Sequence, residues 1–291
     1  DTFTPVGIYL RLRDRFRDTI LLESTDSHAS ENSYSFIGVN AIGGIEISSL
    51  NQIEYKYPNQ EPEKETIHHV HDAPDRIWSY MQQYEMKAAN LKEASFGQGL
   101  YGYTTYDAIP FFDSIQFKKD ADIIPLMRYR LYQYVIAFNH FKDEIFICEN
   151  KIVGIDSEFN ALMSFIKSKD VPQYPFFIKG TERVNQTDAE FIKVVKKGIQ
   201  HCMRGDVFQI VLSRRFQQSF QGDEFNVYRT LRNINPSPYL FFFDYGDYKL
   251  MGSSPESQII INNGKAVVHP IAGTFKRTGD DVIDQREAAR L

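Results

Sequence analysis

The sequence predicts an α+β fold with large antiparallel sheets covered by helices. Two observations lead there. Stretches of alternating apolar and polar residues outnumber stretches with helical spacing along the 291-residue chain. Most connections between them are also too short for parallel crossovers, which need a dozen residues or more.

The elements follow in order. Val6–Leu12 alternates and reads as a strand, as do Ser33–Val39, Ala41–Ile47 and Gln52–Tyr57, the last two flanking a Ser-Ser-Leu-Asn turn. A helix is predicted from Asp72, with Pro74 in its first turn, where a missing N–H costs nothing, and with Ile77, Trp78, Met81 and Tyr84 on one face. Strands resume at Gly99–Tyr106, Met127–Phe138 and Ile145–Glu149, and a helix over Asp156–Lys169 buries Phe159, Leu162, Met163 and Ile166. Between Ser168 and Val184 the chain turns Pro- and Lys-rich without periodicity, so 171–186 is expected to link a region 1–170 to a region 187–291. Thr187 and Glu190 form a capping box for a helix whose buried face is Phe191, Val194, Val195, Ile199 and Cys202, ending at Gly205. Then come a strand at Phe208–Phe216, a short helix at Asn226–Asn233, and strands at Tyr239–Tyr245 and Lys249–Gly252. A hairpin joins Gln258–Ile261 to Ala266–His269 over Asn263-Gly264, a pair that accepts the positive φ of a two-residue turn.

A 42% hydrophobic and 14% aromatic content fills a substantial core. A net charge of -5 with no Lys/Arg cluster leaves no footprint for nucleic acid. His68, His69 and His71 sit in a Glu-rich polar stretch without the further ligands of a closed metal site, and read as a solvated loop. Cys148 and Cys202 lie in unlike contexts, which argues against a disulfide framework, a metal clip or a thiol nucleophile. No apolar run reaches the length of a membrane span and no signal-peptide pattern opens the chain, so a soluble cytoplasmic protein is expected. The chain opens on Asp1 and closes in an amphipathic stretch, Asp281–Leu291, without a stop signal; truncation is expected.

Phosphate-loop, dinucleotide, zinc-protease and serine-hydrolase motifs are all missing. What remains is Gly273-Thr274 after an apolar run, where a bare backbone N–H and a hydroxyl can hold a small anion, although strands often end at Gly for structural reasons alone. The blocks DVFQIVLSRRF (206–216), NPSPYLFFF (235–243), GSSPE (252–256) and HPIAGTFKR (269–277) resemble, in order and spacing, the chorismate-binding enzymes, specifically component I of anthranilate synthase. So do LLES (21–24) and ENSYSF (31–36) near the start, and the likeness covers nearly the whole chain.

The resemblance implies antiparallel sheets packed as a sandwich with helices outside. It also implies a lyase of tryptophan biosynthesis that converts chorismate and ammonia to anthranilate and pyruvate. Gly273 and Thr274 would touch chorismate, and Glu256 corresponds to an active-site glutamate. Relatives that add water to chorismate carry a lysine base where this chain has Gln209, whose amide takes no proton from water near neutral pH. Relatives that make aminodeoxychorismate often carry a nucleophilic lysine where this chain has Ala272, and a methyl group attacks nothing. Feedback-inhibiting L-tryptophan would bind between Ser24 and Pro238, Tyr239 and Leu240, by hydroxyl and backbone groups at its polar end and apolar surface at its indole. The glutamates that ligate the family's Mg2+ are expected beyond Leu291, so this chain is expected to be catalytically incomplete. The chain has no Gly-x-Cys-x-Gly nucleophile turn, so ammonia would come from a separate glutamine amidotransferase subunit in a hetero-oligomer. Two other readings stay open: aminodeoxychorismate synthase component I, and a catalytically silent tryptophan-binding module.

Overall fold

The computed structural model describes residues 3–24, 33–84, 92–117, 124–262, 264–271 and 276–289. Its first element departs from expectation: Pro5–Leu12 is a helix, α1. Thr4 caps it, its hydroxyl accepting the Gly7 N–H at 3.0 Å, and Pro5 stands where its fixed φ suits a first turn. The strands β1 (Thr19–Glu23) and β2 (Tyr34–Ser49) follow. The two strands expected over 33–47 are therefore one, with a register shift between Ala41 and Gly43 beside Asn40, whose φ of 58° suits an asparagine. β3 (Gln52–Lys56) and β4 (Glu63–Thr66) lead into α2 (Ala73–Gln82).

The buried face of α2 is rotated from the one expected. Trp78 is 60% exposed, whereas Tyr80 is fully buried. The Tyr80 hydroxyl accepts the Gly44 N–H at 2.7 Å and donates to the Lys56 carbonyl at 2.6 Å. Its polar tip is thus satisfied inside; an indole N–H can donate but not accept, so it could not meet the Gly44 N–H. β5 (Tyr101–Thr104), β6 (Met127–Asn139), β7 (Glu144–Glu149) and α3 (Phe159–Lys167) match their predicted positions closely. Leu162 and Ile166 are the buried pair of α3, while Phe159 is exposed.

β8 (Phe176–Val184) occupies most of the stretch expected to be a linker. α4 (Asp188–Met203) carries the Thr187/Glu190 capping box, and Gly205 follows with a φ of 78°. Its inward line is Phe191, Val195, Gly198 and Cys202, while Val194 and Ile199 face outward. No strand forms over 208–215; β9 (Phe216–Gly222) begins where the expected strand was to end. α5 (Phe225–Ile234), β10 (Tyr239–Asp244), β11 (Lys249–Ser254), β12 (Ile260–Asn262), β13 (Lys265–Val267) and α6 (Asp281–Ala288) complete the order. The β12–β13 hairpin pairs Asn262 with Lys265, and Gly264 takes the positive φ of its turn; Asn263 lies outside the described residues.

The chain divides into two compact units, residues 1–173 with 227–255, and residues 174–226 with 256–291. The first holds a nine-stranded antiparallel sheet in the order β11-β10-β1-β2-β3-β4, with β6 pairing β2, β5 and β7. The long β2 has β6 along one edge and, on the other, β1 for its first half and β3 for its second. Tyr9 of α1 meets Phe242 of β10 edge to face at 5.8 Å, which packs the helix on the sheet. Arg130 of β6 is buried with Asp18 at 3.2 Å and Glu46 at 3.0 Å, so its charge is compensated inside the unit. The second unit contains the antiparallel pair β8–β9, α4, the β12–β13 hairpin and α6. An antiparallel α+β architecture therefore holds.

Candidate functional site

The pairing of β1 with β10 builds the first site. Glu23 is registered opposite Leu240, so Ser24, one step further, comes beside Tyr239. Pro236 and Pro238 lie between Ile234, the last residue of α5, and Tyr239, the first of β10, since neither can donate to a helix or a ladder. Ser24, Pro238, Tyr239 and Leu240 are thus brought together within the first unit. Leu240 is buried and Tyr239 is 42% exposed, because neighbouring strand residues leave on opposite faces. One bound ring can meet only one of these two side chains.

Residues that the sequence did not single out surround them. Glu23 is 4% exposed, and its carboxylate accepts the Tyr228 hydroxyl at 2.7 Å. Arg232 Nε lies 3.1 Å from the same oxygen, an ion pair by distance whose N–H is not aimed for a linear hydrogen bond. Burial and the Glu23 charge hold the Tyr228 phenol well above the usual range. The Ser24 N–H donates to Ser35 Oγ at 3.4 Å, and that oxygen lies 2.7 Å from His140 Nε2. Burial lowers the His140 pKa, Arg232 lowers it further, and Glu23 and Asp143 partly oppose both. Glu23 did leave a signal, a carboxylate closing the otherwise apolar strand Ile20-Leu21-Leu22. His140 left none.

The second group of predicted residues belongs to the second unit. Glu256 is exposed, and its Oε1 accepts the Ile271 N–H at 3.4 Å, which ties the GSSPE block to the HPI run. Ala272, Gly273 and Thr274 lie outside the described residues. Gln209 is exposed in the irregular segment 206–215. That segment is held by Arg214 on Asp188 at 2.6 Å, by the Arg215 N–H on Asn185 Oδ1 at 2.9 Å, and by Leu212, which would lie 3.0 Å from a Cβ built at Gly198. Glu256 is therefore fixed to the neighbour of Ala272, and no hydrogen bond joins Gln209 to Glu256 among the described residues. Lys276 and Arg277 line a recess of about 420 Å³ with Asp281 and Asp284 of α6.

A larger cavity of about 1000 Å³ opens in the first unit between Tyr84, Gln98, Leu131, Cys148 and Asn150, and no predicted site residue lines it. Cys148 and Cys202 are both free thiols, and burial pushes the Cys148 thiol up. Among the described residues no group of three or more His, Cys, Asp or Glu could hold a metal ion, so these residues do not by themselves fit the Mg2+ that the resemblance implies. No described helix is long and apolar enough to cross a membrane.

Residues 47–291 match the chorismate binding enzyme family, and the chain belongs to it. It is similar to anthranilate synthase component 1 of Aquifex aeolicus (strain VF5), at 30% identity over 98% of this chain and 60% of that protein. The component 1 of Bacillus subtilis (strain 168) is 28% identical over 100% of this chain and 59% of its own length. The fold is similar to the crystal structure of anthranilate synthase component I from Streptococcus pneumoniae TIGR4, with a TM-score of 0.61 and 24% identity over 100% of this chain and 62% of that one. The chain thus spans about three-fifths of the length of these relatives.

Proposed function

We propose that this chain is the amino-terminal portion of a cytoplasmic anthranilate synthase large subunit, a lyase making anthranilate and pyruvate from chorismate and ammonia, and that its first unit carries a feedback site for L-tryptophan. The observation that supports this best is the β1–β10 register, which seats Ser24 beside Tyr239 and Leu240. The Ser24 hydroxyl and the backbone after Pro238 offer partners for the polar end of an amino acid, and Tyr239 or Leu240 offers apolar contact to an indole.

In the second unit, the Gly273 N–H and the Thr274 hydroxyl would hold a chorismate carboxylate or ring oxygen, and Glu256 accepts the Ile271 N–H. Gln209 and Ala272 set the reaction type by what they cannot do, since one offers no base and the other no nucleophile. Ammonia would be delivered by a partner glutamine amidotransferase. No step is routed here through magnesium. The second reading, a tryptophan-binding module without catalysis, is favoured by the amino-acid site lying wholly in the first unit. Aminodeoxychorismate synthase component I remains the alternative within the enzyme reading.

Calorimetric titration of L-tryptophan tests the site. Saturable one-site binding is expected, weakened at least about tenfold in Ser24→Ala, as loss of hydrogen bonds to a charged ligand would give. A folded chain that takes up no tryptophan would overturn the assignment. The chain alone is expected not to turn over chorismate with ammonium salts; measurable anthranilate fluorescence would remove the binding-module reading.

A further inference from the structure

We propose that His140 is a positioning residue of the amino-acid site, which holds Ser24 in place through Ser35 and does so only while its ring is neutral. The proposal rests on the reading of that site as the place where L-tryptophan binds, and adds a pH-dependent control to it.

His140 follows β6 directly, and its backbone N–H donates to the Ser33 carbonyl at 3.0 Å. The turn behind it is fixed by Asn139, whose Oδ1 accepts the Phe141 and Lys142 N–H groups at 3.0 and 3.1 Å. The ring is thereby set against β2, with Nε2 at 2.7 Å from the Oγ of the fully buried Ser35. That same oxygen receives the Ser24 N–H at 3.4 Å.

The direction of these bonds follows from the fixed donor. An amide N–H can only donate, so Ser35 Oγ accepts from Ser24. Its own proton needs an acceptor, and among the described hydrogen bonds of that hydroxyl the other partner is His140 Nε2, which takes it when the ring is neutral with its proton on Nδ1. Protonating Nε2 turns that bond around. Two donors then aim at Ser35 Oγ, and its buried hydroxyl proton has to leave for another acceptor, at the cost of an unsatisfied group. The charged groups facing the ring are Glu23 from β1, Arg232 from α5 and Asp143 from the turn after β6. Burial and Arg232 together outweigh the two carboxylates and keep the ring neutral below the ordinary histidine range. The sign is then fixed. Stability linked to this ring is fully present above the ordinary histidine pKa and is lost as pH falls through it toward the lowered value in the fold; tryptophan affinity, a property of the folded chain, falls only as pH passes that lowered value.

The test is calorimetric titration of L-tryptophan into the full chain at about pH 7.5 and about pH 4.5, the lower value lying well below the ordinary histidine pKa. Wild-type affinity is expected to fall severalfold at the lower pH. His140→Ala and Ser35→Ala are expected to bind about fivefold more weakly at the higher pH, the worth of one net hydrogen bond. His140→Gln, whose amide oxygen can accept from Ser35 without titrating, is expected to keep the affinity and lose the pH dependence. Equal binding by wild type and His140→Ala at both pH values would overturn the proposal. Should the wild type bind no tryptophan, the reading of the site fails, and the hydrogen-bond chain is judged by the Ser24 amide resonance. A Ser24 shift that follows the His140 titration in wild type and vanishes in Ser35→Ala supports the chain of bonds, and a Ser24 signal indifferent to that titration sinks it.

Discussion

At the scale of single residues, tyrosines decide more of this molecule than its aliphatic side chains suggest. Tyr80, Tyr132 and Tyr228 are all fully buried, and where partners are seen their hydroxyls close specific polar gaps in the first unit. Tyr80 is the clearest case, since the Gly44 N–H that it satisfies stands beside a register shift in β2. Tyr80→Phe keeps the ring and strands that N–H together with the Lys56 carbonyl. A loss of about 1–3 kcal/mol is expected in urea unfolding, the cost of a buried polar group without a partner; an unchanged midpoint would show that water replaces the hydroxyl. Such residues explain what the sequence hides. Apolar spacing put Trp78 on the inner face of α2, because side-chain hydrophobicity carries no record of which backbone groups need a donor or acceptor. The same holds at the proposed amino-acid site: Ser24 and 238–240 were singled out through motif resemblance. Ser35 and His140 were not, because their role arises from a contact between residues far apart in sequence.

At the scale of elements, two misreadings share a cause. Over Val6–Leu12 the inward residues Ile8 and Leu12 fit a period of two as well as they fit i, i+4, so a short run cannot discriminate between strand and helix. The Thr4-Pro5 pair did discriminate, by capping and by a φ suited to a first turn. Over Phe208–Phe216 the apolar run Ile210-Val211-Leu212 suits a strand, but apolar character names no partner. A strand exists only where its backbone groups are paired, and no described strand runs beside 208–215. That segment instead lies against α4 through Leu212 at Gly198. Gly198→Val would drive two methyl groups into this contact, with an expected loss of about 1–3 kcal/mol from overpacking and a shift of the Gln209 segment visible in its amide spectrum. A variant as stable as wild type would mean that the segment gives way without resistance. The capping box of α4 and the turn glycine of β12–β13 were legible because each is a local, few-residue chemistry.

At the scale of the whole molecule, the two units differ in how much they bury. The first unit encloses the aromatic and aliphatic core around β1, β2, β6 and β10. In the second, almost every residue of β8 and all of β9 are exposed, and Ile178, Ile199 and Val211 are 67%, 54% and 85% exposed. Few buried apolar contacts mean low local stability. Amide hydrogen exchange is therefore expected to show β8, β9 and α4 losing protection well before β2 and β6; a single cooperative exchange class across both units would contradict this. The order of sequence did not reveal that residues 227–255 return to the first unit, since no local pattern encodes a strand pairing across so long an interval.

That return has a consequence for how the chain is made. β1 and β10 are more than two hundred residues apart. At about 5–20 residues per second, synthesis leaves the edge of β1 waiting for roughly 10–40 s before its neighbour exists. The nascent chain therefore carries the residues around Ser24 beside an unpaired strand edge while most of the polypeptide emerges. The proposed amino-acid site is completed late in the life of each newly made molecule, when β10 slots in beside β1.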